Sequence, residues 1–176
     1  MARLVELNQT QANTNRIMGT FGYMAPEYAA RGKFSVKSDV FSFGVLVLEI
    51  ISGRRNLADV SREDYEMLIC QAWTNWREGN ISDIVEPAVS SGYSANVLRC
   101  THISLLCVQE KAENRPEMIS VIRWLDHHSI TLSVPTQPAF FTGTSSRTRT
   151  IEASCSRIYA VTSSINGASI SELYPR

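Results

Sequence analysis

Residues 35–53 read SVKSDVFSFGVLVLEIISG, and the letters VFSFGVLVLEII within them form the longest apolar run of the chain, with Glu49 as its only charge. Twelve residues of α-helix are about 18 Å long, which is too short to cross a bilayer. The apolar side chains surround the helix axis, so we predict a core helix buried on most sides. Ser38 is placed to cap its N-terminus, Asp39 lies in the first turn, and Gly53 is placed to end it.

Composition and charge are those of an ordinary globular domain. The chain has 176 residues, of which 44% are hydrophobic, and 17 Lys and Arg balance 17 Asp and Glu. This length allows one domain with a sizeable core. The balanced charge lacks the basic excess of nucleic-acid-binding proteins and of polybasic membrane-binding arms, so we expect no nucleic-acid partner and no direct membrane insertion. The polar stretch VELNQTQANTN near the start does not match a signal peptide.

The cysteines and histidines predict no metal site. The four cysteines contain no Cys-x-x-Cys pair, and the three histidines add no zinc-ligand spacing. These residues are Cys70, Cys100, Cys107, Cys155, His102, His127 and His128. We expect the cysteines to be reduced and to pack as small core residues.

Three further helices are predicted from apolar residues at helical spacing. The first covers residues 64–79 and stops at Gly79, the second covers residues 95–109 after Ser94, and the third begins at Pro116. The apolar face of the third helix consists of Met118, Val121, Ile122 and Leu125. Since no segment alternates as a strand does, the sequence predicts a mainly α fold.

Residues 129–176 differ in composition from the rest of the chain. Seventeen of these 48 residues are Ser or Thr, and Pro135 and Pro138 interrupt the beginning. Such a segment offers little clustered apolar surface to offset the entropy of ordering, so we predict a largely disordered tail after His128. Phosphorylation of this tail and the absence of any specific task remain two alternatives.

Several stretches resemble successive parts of the helical lobe of plant receptor-like protein kinases. They are GTFGYMAPEY at residues 19–28, KSDVFSFGVLVLEIISG at residues 37–53 and HISLLCVQEKAENRPEM at residues 102–118. The final letters, ISELYPR, are similar to the C-terminal end of the cysteine-rich or S-locus receptor-like types. The resemblance covers residues 1–128 well and the tail more loosely.

This resemblance implies a partial protein-kinase domain at residues 1–128, made of the end of the activation segment and the helical C-terminal lobe. A Ser/Thr-rich disordered tail follows at residues 129–176. Within the lobe, Pro26 and Glu27 of the Ala-Pro-Glu motif form a structural clamp with Arg115. A bidentate Arg–carboxylate pair suits a clamp, because the planar fork fixes orientation as well as charge. The alternative is a surface ion pair that contributes little stability.

The resemblance also assigns residues around the expected substrate site. Gly19 and Thr20 match the substrate-docking loop of Ser/Thr kinases, in which the threonine hydroxyl bonds the catalytic Asp and Lys. Asp39 matches the helix anchor that accepts backbone N–H bonds from the catalytic loop. Its other interpretation is that of a first-turn acid that complements the helix dipole.

Threonines in the activation loop are candidate phosphosites. Thr10 and Thr14 lie in that loop, and Thr20 follows it. A phosphate in this loop can recruit an arginine and order the segment. Arg16 and Arg31 are the candidate partners.

The motifs that carry out phosphoryl transfer are absent from these 176 residues. The sequence contains no G-x-G-x-x-G, no V-A-I-K, no His-Arg-Asp and no Asp-Phe-Gly, and these motifs hold nucleotide and metal in protein kinases. The opening letters MARL resemble the residues that immediately follow Asp-Phe-Gly. We therefore expect no catalytic residue, no metal ligand and no cofactor in this chain, whereas Mg²⁺ and ATP serve the full-length family.

Three functional interpretations follow. The first is a fragment of a receptor-like Ser/Thr kinase that is inactive alone, with protein substrates and signalling partners of the parent kinase as its partners. The full-length family acts at the cytoplasmic side of the plasma membrane, and the fragment would be cytosolic if expressed. The second is a stand-alone binding module or decoy that docks through Trp73 and Trp76, although large aromatics at helical spacing usually pack inward. The third is a non-functional remnant that folds poorly because its neighbours are missing.

Overall fold

The structure, a computed structural model, describes residues 11–57, 67–90 and 95–141, and it is mainly α-helical. Its helices are α1 (Pro26–Arg31), α2 (Val36–Ser52), α3 (Leu68–Glu78), α4 (Pro87–Ser90), α5 (Ala95–Cys107) and α6 (Met118–Asp126). Turns of 3₁₀-helix lie at Phe21–Tyr23, Ile81–Ile84 and Ala112–Asn114. No helix within these ranges is long and apolar enough to cross a membrane.

Helix α2 is the central helix, as its sequence predicts, but it begins three residues earlier than expected. Ser35 and not Ser38 is the N-cap. The Ser35 hydroxyl accepts a hydrogen bond from the Lys37 amide, while the Ser38 hydroxyl accepts one from the Ser35 amide. This reciprocal arrangement is a capping box, in which both serines satisfy N–H groups at the helix start. Gly53 ends the helix in the left-handed conformation, with φ of 64°.

Gly44 allows α2 and α5 to pack closely. A Cβ atom added at Gly44 would lie 2.7 Å from Cys107 Cβ and 2.9 Å from Val108 Cγ1. Carbon atoms pack best at about 3.5–4.0 Å, so any larger residue would push the two helices apart. The opposite edge of α2 is less covered than expected, because Leu46 and Ile50 are exposed.

The core consists of two groups of buried side chains. The larger group joins α2, α3, α5 and the turn at Ile81–Ile84, and the smaller joins α2, α5 and α6. Members of the larger group include Phe41, Val45, Leu48, Ile69, Ala72 and Leu105. The smaller group is Val40, Ile103, Cys107 and Val121.

Two strands that the sequence did not predict pair in antiparallel fashion. They are β1 (Gln11–Asn13) and β2 (Lys33–Ser35), with Ala12 opposite Phe34. Each strand has three residues, which is too short for alternation to be visible in the sequence. Next to β2, a Cβ atom at Gly32 would lie 1.9 Å from the Thr14 carbonyl oxygen, so only glycine allows the two segments to meet.

The remaining helices are shorter than predicted. Helix α3 ends before Gly79 as expected, and the predicted residues 64–66 lie outside the described part. Helix α5 ends at Cys107, two residues early, and Ser94 is likewise outside the described part.

The predicted start of the last helix at Pro116 was wrong, because α6 begins at Met118. The backbone at Arg115 and Glu117 is extended, with ψ of 144° and 148°. This extended stretch leads the Arg115 side chain into the interior before the helix can begin. Ile122, predicted on the apolar face, is exposed.

Residues 129–141 were expected in the disordered tail, but they pack against α5. We call them the C-terminal strap. Ala139 is buried, and its amide donates to the Val108 carbonyl at 3.0 Å. The prediction used the average composition of residues 129–176, and this average concealed the apolar residues at the beginning of the segment. The rest of the predicted tail, residues 142–176, lies outside the described residues.

Candidate functional site

The Arg115 guanidinium is buried and fully hydrogen-bonded. Its Nε donates to the Gln109 carbonyl at 2.8 Å. One terminal nitrogen donates to Glu27 Oε1 at 2.9 Å and to the Lys37 carbonyl at 3.1 Å. The other donates to Glu27 Oε2 at 2.9 Å and to the Glu110 carbonyl at 3.0 Å. All five N–H groups of the guanidinium therefore have acceptors, and Glu27 and Arg115 of the predicted clamp form a bidentate pair.

Charge and burial distinguish this pair from an exposed ion pair. Burial raises the pKa of Glu27, but the hydrogen bonds from Arg115, from the Glu27 backbone amide and from Ser38, together with the charge of Arg115, outweigh burial and lower the pKa below its usual range. The guanidinium carbon lies 5.0 Å from the centre of the Phe41 ring, within range of a cation–π contact. Arg115 is only 2% exposed, so the Glu27–Arg115 pair is not the surface ion pair of the alternative interpretation. Pro26 is the first residue of α1, a position that suits its missing N–H.

The turn that follows the predicted docking loop is held by residues that sequence reasoning missed. The loop consists of Gly19 and Thr20 and leads into the 3₁₀ turn Phe21–Tyr23. The Gly22 carbonyl accepts a hydrogen bond from Asn56 Nδ2 at 2.7 Å, and Asn56 is buried. The Tyr23 carbonyl accepts one from the Ser42 hydroxyl at 2.7 Å.

Glu49 connects the turn to Asn56. The Tyr23 hydroxyl donates to Glu49 Oε2 at 2.8 Å, and the backbone amide of Asn56 donates to Glu49 Oε1 at 2.6 Å. The hydrogen bond to Glu49 raises the pKa of Tyr23, with burial as the next cause. A single charge within an apolar run was the one signal in the sequence that could have identified Glu49, because a charge in such a place needs a partner.

Several predicted site residues line one open cavity of about 970 Å³ between residues 13–28 and α2. They are Thr14, Arg16, Gly19, Thr20 and Asp39. The side chains of Thr20 and Asp39 are exposed, and neither makes a hydrogen bond to any described residue. The structure therefore brings Thr20 of the predicted docking loop and Asp39, the predicted helix anchor, to the same cavity, although they lie on different elements.

The candidate phosphosites are in different situations. Thr14 is half-buried, and its hydroxyl donates to the Arg16 carbonyl at 3.1 Å and accepts from the Arg16 amide at 3.2 Å. Thr20 is exposed, whereas Thr10 lies outside the described residues. Arg31 ends α1, is exposed and does not line the cavity.

No three His, Cys, Asp or Glu residues in the described ranges are placed to hold a metal ion. Cys70 and Cys107 are buried and Cys100 is half-buried, so these three are packing residues.

Trp73 and Trp76, the docking face of the decoy interpretation, are half-buried against the larger core group. The Trp76 ring centroid lies 4.5 Å from that of His102. Neither tryptophan is among the exposed large side chains of the described chain.

Comparison with known proteins identifies the family to which this chain is similar. A profile of the family described as protein tyrosine and serine/threonine kinase matches residues 1–125. Cysteine-rich receptor-like protein kinase 7 of Arabidopsis thaliana is 48% identical over 100% of this chain and 27% of its own length. Cysteine-rich receptor-like protein kinase 26 of the same plant is 49% identical over 100% of this chain and 26% of its own length. The chain thus spans about a quarter of the length of these relatives, and it belongs to the protein tyrosine and serine/threonine kinase family.

Proposed function

We propose that this chain forms the end of the activation segment and the helical lobe of a receptor-like Ser/Thr protein kinase, and that alone it transfers no phosphate. The observation that carries the proposal is the cavity shared by Thr20 and Asp39. In the complete kinase the catalytic loop would lie there. The Thr20 hydroxyl would bond the catalytic Asp and Lys, and the Asp39 carboxylate would accept backbone N–H groups of that loop.

The division of labour follows from the chemistry of phosphoryl transfer. This reaction depends on positioning the substrate hydroxyl and on stabilising charge at the transferring group. The Mg²⁺ and ATP that supply the phosphoryl group would be held by kinase motifs that these 176 residues do not contain. The described residues would supply the substrate side, because Glu49, Asn56 and Ser42 fix the turn that follows Thr20.

The wider setting is part of the same proposal. The relatives are receptor-like kinases by name, so we place the lobe on the cytoplasmic side of the plasma membrane in the parent protein. Its partners would be protein substrates with Ser or Thr acceptors. The decoy alternative would need Trp73 and Trp76 as a docking face, and their packing against the core favours the kinase proposal.

A phosphotransfer assay tests the proposal. Residues 1–176 and a version extended upstream through Asp-Phe-Gly, with the extension taken from a related kinase, are incubated with radiolabelled ATP, Mg²⁺ and Ser/Thr peptides. We expect labelling by the extended protein alone. In the extended protein, Thr20→Ala and Asp39→Asn should each slow labelling strongly. Thr131→Ala, which changes an exposed threonine outside the cavity, should leave it unchanged.

Two results would contradict the proposal. One is stoichiometric labelling by the unextended chain that Thr20→Ala abolishes, because the chain would then contain its own catalytic groups. The other is an extended kinase whose rate is insensitive to both Thr20→Ala and Asp39→Asn, because the cavity would then have no part in the reaction.

A further inference from the structure

The C-terminal strap ends against the docking-loop turn. The Phe140 ring centroid lies 6.0 Å from that of Phe21 and 6.4 Å from that of Phe41. Phe21 begins the turn that follows Thr20, and Phe41 belongs to α2. Phe140 therefore contacts both the turn that follows Thr20 and the central helix, although it lies 119 residues after Phe21 and 99 residues after Phe41.

The root of the strap is attached to α5 by two side chains. Arg99 donates from Nε to the Trp124 carbonyl at 2.8 Å, and from a terminal nitrogen to the Ile130 carbonyl at 3.0 Å. The Nε2 atom of His102 lies 2.8 Å from the Ser133 carbonyl oxygen. These contacts hold the strap to the helix just after α6 ends.

The end of the strap is attached where α5 ends. The Gln109 side-chain oxygen accepts hydrogen bonds from both the amide and the hydroxyl of Thr136. The Glu110 amide donates to the Gln137 carbonyl at 3.2 Å. Because the Ala139 amide also bonds the Val108 carbonyl, the backbone is fixed immediately before Phe140.

The backbone at Phe140 is unusual. Its φ is 65°, and it is the only non-glycine residue with positive φ in the described chain. An L-residue as bulky as phenylalanine rarely adopts this conformation, and it persists where the surrounding structure determines it. Here the buried Ala139 on one side and the two ring contacts on the other supply that constraint.

We propose that Phe140 is a positioning residue for the substrate-docking loop. Its ring packs against Phe21 and so keeps the Phe21–Tyr23 turn in the conformation that presents Thr20. The proposal rests on the proposed function insofar as this loop receives the protein substrate. The strap then contributes to substrate binding without touching the substrate.

The first test measures hydrogen exchange of the 176-residue chain. The Tyr23 and Met24 amides donate to the Thr20 and Phe21 carbonyls at 3.1 and 3.0 Å, so they report opening of the turn. One aromatic pair changes an equilibrium by roughly 2- to 13-fold. We expect Phe140→Ala to accelerate exchange at these two amides by about 2- to 13-fold, while the Val121 amide in α6 stays unchanged.

Matched variants complete this test. Phe140→Tyr keeps the ring and should exchange like the unmodified chain. Val134→Ala, which truncates a strap side chain that is 82% exposed, should also have no effect. Unchanged exchange at Tyr23 and Met24 in Phe140→Ala would overturn the proposal. If Phe140→Ala also accelerates exchange of the Val121 amide, the milder variant Phe140→Leu is measured in the same way. Accelerated exchange confined to Tyr23 and Met24 in Phe140→Leu supports the proposal, and equal acceleration at Val121 overturns it.

A kinetic test separates positioning from general stability. In the upstream-extended kinase, we expect Phe140→Ala to lower kcat/KM for the peptide roughly tenfold while the KM for ATP changes less than about twofold. An unchanged kcat/KM for the peptide, or a KM for ATP that changes as much, would overturn the proposal. If the extended kinase is inactive in every form, the proposed function fails. The hydrogen-exchange experiment still tests whether Phe140 holds the turn, because it does not require activity.

Discussion

Arg115→Ala should be among the most destabilising single substitutions in the described chain. The change removes a side chain that is 2% exposed and makes five hydrogen bonds. It leaves the Glu27 carboxylate and the carbonyls of Gln109, Lys37 and Glu110 without this donor. Breaking a buried charge pair in this way costs about 3–5 kcal/mol. Since a domain is stable by about 5–15 kcal/mol in total, the variant should lose a large part of its free energy of unfolding.

Urea unfolding followed by circular dichroism measures this loss, with an unchanged m value as the sign that only stability has changed. Glu117→Gln is a matched control, because Glu117 forms an ion pair with Lys37 at 2.7 Å but its side chain is 57% exposed. An exposed pair of this kind contributes about 0–1 kcal/mol. A double-mutant cycle of Arg115→Met with Glu27→Gln isolates the pair itself and should show a coupling of about 1–3 kcal/mol.

The reasoning would be refuted if Arg115→Ala lowered the free energy of unfolding no more than Glu117→Gln. Such a result would mean that the five hydrogen bonds of Arg115 only balance the cost of burying its charge. A coupling near zero in the cycle would likewise show that Glu27 and Arg115 act independently.

Burial raises the pKa of Glu27, but the opposing effect of Arg115 and the other hydrogen-bond donors is larger. The folded pKa is therefore below the unfolded value of about 4.3. The stability from this carboxylate is present above that value and is lost as the pH falls through the folded pKa, so Glu27→Gln should flatten the acid limb of stability measured by urea unfolding. Gly44→Ala should lower the free energy of unfolding by about 1–3 kcal/mol, because the added Cβ meets Cys107 at 2.7 Å and this outweighs the higher helix propensity of alanine; a gain in thermal midpoint would contradict the close packing. Tyr23→Phe removes the hydrogen bond to Glu49 and should cost about 0.5–1.5 kcal/mol in the same unfolding assay, whereas no loss would show that solvent replaces this bond fully.

Local patterns in the sequence were enough to find the central helix. Its apolar run and Gly53 are adjacent signals that act within the helix itself. They were not enough to choose between Ser35 and Ser38, because a capping box uses both residues and each one alone looks like a cap. The start of α6 was misplaced for a different reason, since residues near Pro116 are held extended by the burial of Arg115, which a local pattern does not reveal.

Contacts between distant segments were accessible only where the family motif supplied them. Glu27 and Arg115 are 88 residues apart, and only the resemblance suggested pairing them. Tyr23 and Glu49, 26 residues apart, had no such motif, so their bond was missed. The strap was missed because average composition describes a whole segment, whereas docking depends on a few residues such as Ala139 and Phe140.

The close contact of α2 with α5 at Gly44 also makes the adjacent thiol chemically inert. Burial raises the pKa of Cys107 to about 12, so at neutral pH only about one thiol in 10⁵ would be the reactive thiolate. An alkylating reagent could modify Cys107 only after the two helices separate and water reaches the sulfur. In a chain with the other three cysteines replaced by serine, the alkylation rate of Cys107 would therefore measure how often this helix pair opens.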